Sequence, residues 1–391
     1  MSDERRYLLD GTMARRGGGF TYLVNVVPAL ARLAPHHRFL LLARNSRLTA
    51  ALPALPNLEV ELLPEAGLRE RFRFTYLEAA RRAADWRADL YFSAGESVPL
   101  HARCPVIASF RNACVLEGIG EWAPWQRPRL WMLQAIARVS ARRADRVLFV
   151  SRDSARRMGD AIGLADSKRA WLHHGIDTAA WSTARSEPSV EPFILSVSSI
   201  YRYKNYIRLI QAYADLLERH PDAPDLVIVG DVADPPHARL LEAARLASGP
   251  AAERIHLVGE VPYPGVRDYY ERAALFVFPS YRETFGFPLL EAMAAELPIV
   301  ASDLPVFREI AGDAAFYADP FEPKAIAAAM EQALYSPGAA ATLVKRGRAR
   351  VREFTWTRTA ERLLALFDDV LAERAQRASA SVAGPVAALP R

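Results

Sequence analysis

Three features of the chain predict an α/β protein of two doubly wound domains with parallel sheets. Short apolar runs alternate with longer amphipathic segments, the pattern of repeated strand–helix units. The alternation breaks once, at a stretch rich in turn residues, and then resumes. The third feature is size: 391 residues, 51% of them hydrophobic, exceed one typical domain and supply core for about two.

In the first half, RYLLD (6–10) reads as a strand, followed by a Gly17-Gly18-Gly19 loop and a helix from Phe20 to about Leu33. HRFLLLA (37–43), NLEVELL (57–63), DLYFS (89–93), PVIASF (105–110) and RVLFVS (146–151) read as further strands, bounded by turn residues and separated by helix-length segments. HHGIDTAAWSTARSEPSVEP (173–192) carries turn residues and two prolines and reads as the connection between domains. This sets a first domain over 1–177, a linker over 178–192 and a second domain over 193–355. The second domain repeats the pattern with FILSVSS (193–199), LVIVGD (226–231), IHLVGE (255–260), LFVFPS (275–280), PIVASD (298–303) and AFYAD (315–319). FTWTRTAERLLALFDDVLAERAQR (354–377) is amphipathic, with Leu363, Leu364, Phe367 and Leu371 on one side, and predicts a closing helix over 356–377. Residues 378–391 read as a frayed tail.

Composition narrows the function classes. Cys104 and Cys114 are the only cysteines, so a structural zinc cluster is not expected, and buried thiols in a reducing cytoplasm are favoured over a disulfide. The N-terminus has no apolar run of signal-peptide type, and no stretch approaches the ~20 apolar residues of a membrane span. A soluble or peripheral protein is expected. The net charge of +5 is uneven: residues 1–190 carry +9 and the remainder −4. RERFRFTYLEAARRAADWRADL (69–90) and EWAPWQRPRLWMLQAIARVSARR (121–143) mix arginines with Phe72, Phe74, Tyr76, Trp86, Trp122, Trp125 and Trp131. Such segments suit peripheral contact with an anionic membrane, although core aromatics under solvated arginines give the same pattern. No recognition motif accompanies the charge, so nucleic acid is not an expected partner.

The segment RETFGFPLLE (282–291) holds two carboxylates, Glu283 and Glu291, around FGFP. LFVFPS is a strand, YRETFGF its C-terminal loop, and PLLEAMAAE a helix with Pro288 in its first turn. Ligands of doubly wound sheets sit at C-terminal strand ends. The amides of Phe285, Gly286 and Phe287 lie at a helix start, where backbone donors and partial positive charge hold hydroxyls or phosphates. A neighbouring carboxylate accepts polyol hydroxyls. The same residues would also serve simply to cap a helix. Lys204, in the loop after FILSVSS, places a cation at the same strand ends, and the Gly17–Gly19 run brings bare amides to the first strand–helix turn of the other domain.

On these residues the chain resembles the group 1 (GT4) family of retaining glycosyltransferases, which have the GT-B fold of two Rossmann-like domains facing a cleft. The similarity is strongest over 193–320. It is carried by SYRETFGFPLLEAMAAELPIVASDLPVFREIAGDAAFYADP and HLVGEVPYPGVRDYYERAALFVFPS, and in outline by the glycine loop, VSRDSARRM (150–158) and HHGID (173–177). The resemblance implies an N-terminal acceptor domain, a C-terminal donor domain and a closing helix that crosses back to the first domain. It places Glu283 against the donor sugar and Glu291 on the ribose hydroxyls. The amides of Phe285, Gly286 and Phe287 would hold sugar and phosphates, Lys204 the leaving diphosphate, and Gly18 and Gly19 the same diphosphate from the other domain. Ser198-Ser199 stands where family members often have Gly-Arg, and Arg202 could supply that charge. Phe110-Arg111-Asn112 stands where many have a His-Asp pair. Arg111 and Asn112 are the acceptor-side candidates, and Asn112 binds hydroxyls but is no general base.

The implied partners are a nucleotide-diphosphate sugar of GDP or UDP type and a glycan or lipid-linked glycan acceptor, in surface polysaccharide assembly. The sequence has no Asp-x-Asp, the usual metal–diphosphate clamp, so no metal and no other cofactor is expected. Two other readings are a non-catalytic nucleotide- or glycan-binding subunit of the same fold, and a dinucleotide oxidoreductase. Against the latter, DGTMARRGGGF is not a GxGxxG set directly between strand and helix.

Overall fold

The computed structural model describes residues 4–14, 17–118, 120, 122, 124–181 and 191–382. Chain contacts group into two units, Met1–Gly175 with Trp356–Arg391, and Ile176–Thr355. Within the expected linker, Thr178–Trp181 is a helical turn, while residues 182–190 lie outside the described residues. Residues 383–391 of the expected tail do so too.

The first unit carries a seven-stranded, all-parallel sheet in the order β3-β2-β1-β4-β5-β6-β7. Its strands are β1 (Arg6–Asp10), β2 (Arg38–Ala43), β3 (Leu58–Leu62), β4 (Leu90–Ser93), β5 (Val106–Phe110), β6 (Arg146–Phe149) and β7 (Arg169–Trp171). The strand order reverses between β1 and β4. Both faces of the central strands are buried, which is why they read as continuous apolar runs. Leu8, aligned with Leu40 and Tyr91, packs on one face with Phe110 and Phe149. Tyr7, Leu9, Phe39, Leu41 and Phe92 pack on the other. The sequence reading lacked β7, a half-buried edge strand of only three residues.

The second unit is a six-stranded parallel sheet in the order β10-β9-β8-β11-β12-β13. Its strands are β8 (Phe193–Val197), β9 (Leu226–Val229), β10 (Ile255–Gly259), β11 (Ala273–Phe278), β12 (Ile299–Ser302) and β13 (Phe316–Ala318). Here the order reverses between β8 and β11. Helix Tyr206–Arg219 shows how the amphipathic pattern is used: Leu209, Ile210, Tyr213 and Leu216 are buried on one stripe.

The closing helix, Trp356–Val382, belongs to the first unit and packs on helix Gly17–Leu33. It runs to Val382, past the expected end at residue 377. Ala360, Leu363, Phe367 and Val370 recur at helical spacing and are buried, with Leu364 and Leu371 half-buried beside them. The Phe367 ring lies 5.0 Å from Tyr7 and 5.6 Å from Phe92. Truncating Phe367 to alanine removes a fully buried ring and is expected to cost about 3–5 kcal/mol. The check is a lower urea midpoint with an unchanged slope. A midpoint equal to wild type would show that the helix contributes nothing to this core.

The aromatics of the basic half separate by position. Phe74 is core under Arg44, and Trp86 packs on the core beneath Arg6. Trp125 and Trp131 are 73% and 58% exposed.

Candidate active site

In the second unit the chain leaves β8 through Ser198-Ser199 into a tight 3₁₀ turn, Arg202–Lys204, and enters helix Tyr206–Arg219 through Asn205. Asn205 is left-handed, at φ 65°, a conformation asparagine tolerates better than most residues. Its buried side-chain amide donates to the carbonyls of Pro279 (3.0 Å) and Pro320 (2.6 Å). The Tyr281 N–H donates to the Tyr203 carbonyl at 3.0 Å. The bonds to Pro279 and from Tyr281 join the loop after β8 to the loop after β11, the two strands that flank the reversal of strand order, and the bond to Pro320 ties it to the loop after β13.

That joint brings Lys204 and Glu283 together. Lys204 Nζ lies 2.5 Å from Glu283 Oε1, with side chains only 11% and 13% exposed. The ammonium also sits 5.1 Å from the Tyr203 ring centre and 5.4 Å from that of Phe278. An ion pair this far from solvent is costly to form and costly to break, so each partner fixes the other's position.

Gly286 starts helix Phe287–Ala294 at φ 97°, and a Cβ there would come within 3.1 Å of the Phe307 ring. Only glycine meets both constraints. Phe285 is buried, its ring 5.4 Å from that of Phe287 and 6.4 Å from that of Phe354. Glu291 is buried one turn into the helix, and Oε2 accepts a 3.0 Å hydrogen bond from the Tyr270 hydroxyl. Arg202 is exposed. Where the family often has arginine, the Ser199 hydroxyl donates to the Asp231 carboxylate. Gly230 is a residue the sequence reading missed: a Cβ there would lie 1.9 Å from the Ser198 carbonyl oxygen, so no side chain fits.

In the first unit Gly17, Gly18 and Gly19 are not a loop. They form the first turn of helix Gly17–Leu33, entered through Gly17 at φ 63°, so Gly18 and Gly19 present helix-start amides. At the end of β5, the Arg111 and Asn112 N–H groups each donate to Glu96 Oε1 at 3.1 Å. Asn112 caps the turn Ala113–Leu116, accepting from the Cys114 N–H at 3.0 Å. The Arg111 guanidinium lies 3.6 Å above the Tyr22 ring, and its Nε donates to Ser109 Oγ at 3.0 Å. Tyr22 in turn packs on His174, 5.0 Å away, and on Trp356 at 6.1 Å. Burial, then Arg111 and His173, push the His174 pKa well below the usual imidazole value, so it is neutral at physiological pH. The sequence reading missed Glu96, Tyr22 and Trp356 and gave His174 no role.

Two family models match the chain, Glycosyltransferase Family 4 over residues 16–180 and Glycosyl transferases group 1 over 177–350. This chain is a member of the group 1, family 4 glycosyltransferases. Its fold is GT-B. Over 102 residues it is 37% identical to an O-antigen chain mannosyltransferase B of Escherichia coli, which covers 26% of this chain and 27% of that protein. Over 306 residues it is 27% identical to a D-inositol 3-phosphate glycosyltransferase of Acidothermus cellulolyticus, which covers 74% of this chain and 66% of that protein. The crystal structure of Anabaena HepE in complex with UDP-glucose has the same fold. Its TM-score is 0.75 at 16% identity, covering 93% of this chain and 99% of that one. In this family 4 member, Lys204, Glu283, Gly286 and Glu291 fall in the group 1 match, and Gly18, Gly19, Arg111 and Asn112 in the family 4 match.

Proposed function

We propose that the chain is a retaining glycosyltransferase that moves a hexosyl unit, of mannosyl or glucosyl type, from a nucleotide-diphosphate sugar to a glycan or lipid-linked glycan. Surface polysaccharide assembly is the proposed setting, in keeping with the O-antigen relative. The observation that carries this reading is the shielded Lys204–Glu283 pair, at the C-terminal ends of the two strands where the second sheet reverses order. Breaking a sugar–diphosphate bond builds negative charge on the leaving phosphate and positive charge on the sugar. Lys204 and the helix-start amides around Gly286 answer the first. The Glu283 carboxylate answers the second, and Glu291 accepts from the ribose hydroxyls. Arg202 contributes the second cation that Ser199, standing where family members often have arginine, does not. In the first unit, Gly18 and Gly19 are anion-binding amides, and Arg111 with Asn112 meets the acceptor.

In this reading the lysine and the helix start do the work of a diphosphate-bound metal. Turnover is expected to be unchanged by EDTA, with the anomeric configuration of the donor kept in the product. Activity that vanishes with EDTA and returns with Mn²⁺, or a product of inverted configuration by NMR, would overturn this part. A binding subunit without turnover is the competing reading. It is favoured by Ser199 and by the loss of the His-Asp pair, and hydrolysis or transfer from any nucleotide sugar excludes it.

We also propose peripheral work at an anionic membrane surface from inside the cell. Trp125 and Trp131, with Met132 and Val139, are exposed along and just before the arginine-rich helix Arg127–Arg143. No described helix is long and apolar enough to cross a membrane. Co-sedimentation with phosphatidylglycerol vesicles at low salt is expected, and it should weaken when Trp125 and Trp131 are both replaced by alanine. Protein left wholly in the supernatant at low salt would refute the contact.

A further inference from the structure

The chain enters the second unit at Ile176, and its first segment there is tied down at each step. The Ile176 N–H donates to the Phe354 carbonyl at 3.0 Å. Asp177 caps the turn Thr178–Trp181: its Oδ1 accepts from the Ala179 and Ala180 N–H groups at 3.1 Å each, and its carbonyl accepts from the Trp181 N–H at 3.2 Å. Asp177, Ala179 and Ala180 are exposed, whereas Trp181 is buried. A turn of four residues therefore delivers one large apolar side chain to a fixed place.

That place is Tyr270, on helix Tyr263–Arg272. The Trp181 and Tyr270 rings meet edge to face, 5.2 Å between centres and 85° apart. Tyr270 also stacks on Phe276 of β11, at 5.3 Å and 27°. Its hydroxyl donates to Glu291 Oε2 at 3.0 Å. The same turn packs on helix Phe287–Ala294, which carries Glu291. A tyrosine ring is a rigid lever, so the packing of the ring decides where its hydroxyl lies. Fixing Oε2 sets the plane of the carboxylate, and with it the direction of Oε1. A binding group works only when its orientation is held closely by the residues behind it.

We propose that Trp181 is a positioning residue for the nucleotide: it seats Tyr270, and Tyr270 aims Glu291. The segment by which the chain enters the second unit is thereby coupled to nucleotide binding. The inference rests on the reading of Glu291 as the acceptor of the ribose hydroxyls. Trp181 acts wholly through Tyr270 in this arrangement. The coupling is reciprocal: if a seated Trp181 tightens the nucleotide, a bound nucleotide holds Trp181 in its seat by the same factor.

The test measures nucleotide affinity on the full chain, as the melting shift with GDP, UDP, ADP or dTDP relative to each variant's own unliganded melt. Trp181→Ala is expected to weaken the nucleotide that the wild type binds by about three- to tenfold, a range set by the worth of one edge-to-face aromatic contact. Trp181→Phe keeps a ring edge for Tyr270 and should recover most of that affinity. Trp181→Leu fills space without a ring and should not. A purely structural role would lower the unliganded melt and leave affinity alone. The decisive background is Tyr270→Phe: without the hydroxyl the link to Glu291 is cut, so adding Trp181→Ala should cause no further loss of affinity. Hydrogen exchange on the wild type needs no variant. The Ala179, Ala180 and Trp181 amides exchange through opening of the turn, and saturating nucleotide is expected to slow them by about the same three- to tenfold. If Trp181→Ala does not fold, Trp181→Leu and the exchange rates decide. The proposal is overturned if the alanine and leucine variants bind nucleotide as the wild type does, if the loss is as large in the Tyr270→Phe background, or if nucleotide leaves the three amides unchanged. Glu291→Ala is measured alongside. If it leaves affinity intact, or if no nucleotide binds the wild type, the reading of the site falls. If it weakens the nucleotide and the Trp181 variants do not, this inference alone falls.

Discussion

Replacing Lys204 with alanine is expected to lower kcat by about 10²–10³-fold, the usual loss when a preorganised group facing developing negative charge is removed. It should also destabilise the second unit, because Glu283 keeps its shielded position and loses the ammonium 2.5 Å away. Breaking a buried pair costs ~3–5 kcal/mol, and the residual exposure of both groups puts this one at the lower end. The two effects separate in a double variant. Adding Glu283→Gln to Lys204→Ala removes the stranded charge, so the melting temperature should recover substantially while turnover stays low. Steady-state kinetics and thermal melts on the wild type, the two single variants and the double variant complete the cycle. If Lys204→Ala folds and turns over within tenfold of wild type, the lysine does not stabilise the leaving group, and the pair is structural.

The residues on which this prediction turns were visible in the sequence for a physical reason. Lys204, Glu283 and Gly286 sit in loops that directly follow strands, and apolar runs mark strand ends well enough to put all three on the ligand face. Sequence could not show that Asn205 would tie the loop after β8 to Pro279 and Pro320, or that the lysine and the glutamate would pair. That contact spans 79 residues and depends on which strands are neighbours. The first unit was less legible for the same cause. Tyr22, Arg111, His174 and Trp356 come together from four separate segments of the chain, and no local pattern links residues so far apart. The glycine run misled in a different way. Glycine usually signals a break, yet here one left-handed residue, Gly17, leads directly into a helix whose first turn the other two complete. Edge strand β7, with three half-buried residues, lacked the apolar run that revealed the other six of its sheet.

Glu291→Ala is expected to raise the dissociation constant of the preferred nucleotide diphosphate by about 10–100-fold, since a hydrogen bond to a charged group is worth ~1.5–3 kcal/mol and each 1.4 kcal/mol is tenfold. GDP, UDP, ADP and dTDP are the panel, and the thermal melt is the readout. At a wild-type excess of a hundredfold over Kd, the nucleotide adds about 2.7 kcal/mol of stability. The same concentration adds about 1.4 kcal/mol after a tenfold loss of affinity and about 0.4 after a hundredfold loss. The nucleotide that shifts the wild type also names the donor base. The variant carries a second effect that has to be subtracted. Oε2 accepts from the Tyr270 hydroxyl, which is fully buried, and alanine leaves that hydroxyl without its acceptor. The unliganded melt should therefore fall as well. Glu291→Gln retains an acceptor for Tyr270 and should keep most of the unliganded stability while still losing affinity, because the charge is gone. The decisive comparison is the nucleotide-induced shift in each variant relative to its own unliganded melt. If Glu291→Ala lowers the unliganded melt but binds the nucleotide within twofold of wild type, Glu291 is only the partner of Tyr270, and the ribose must be held by another group.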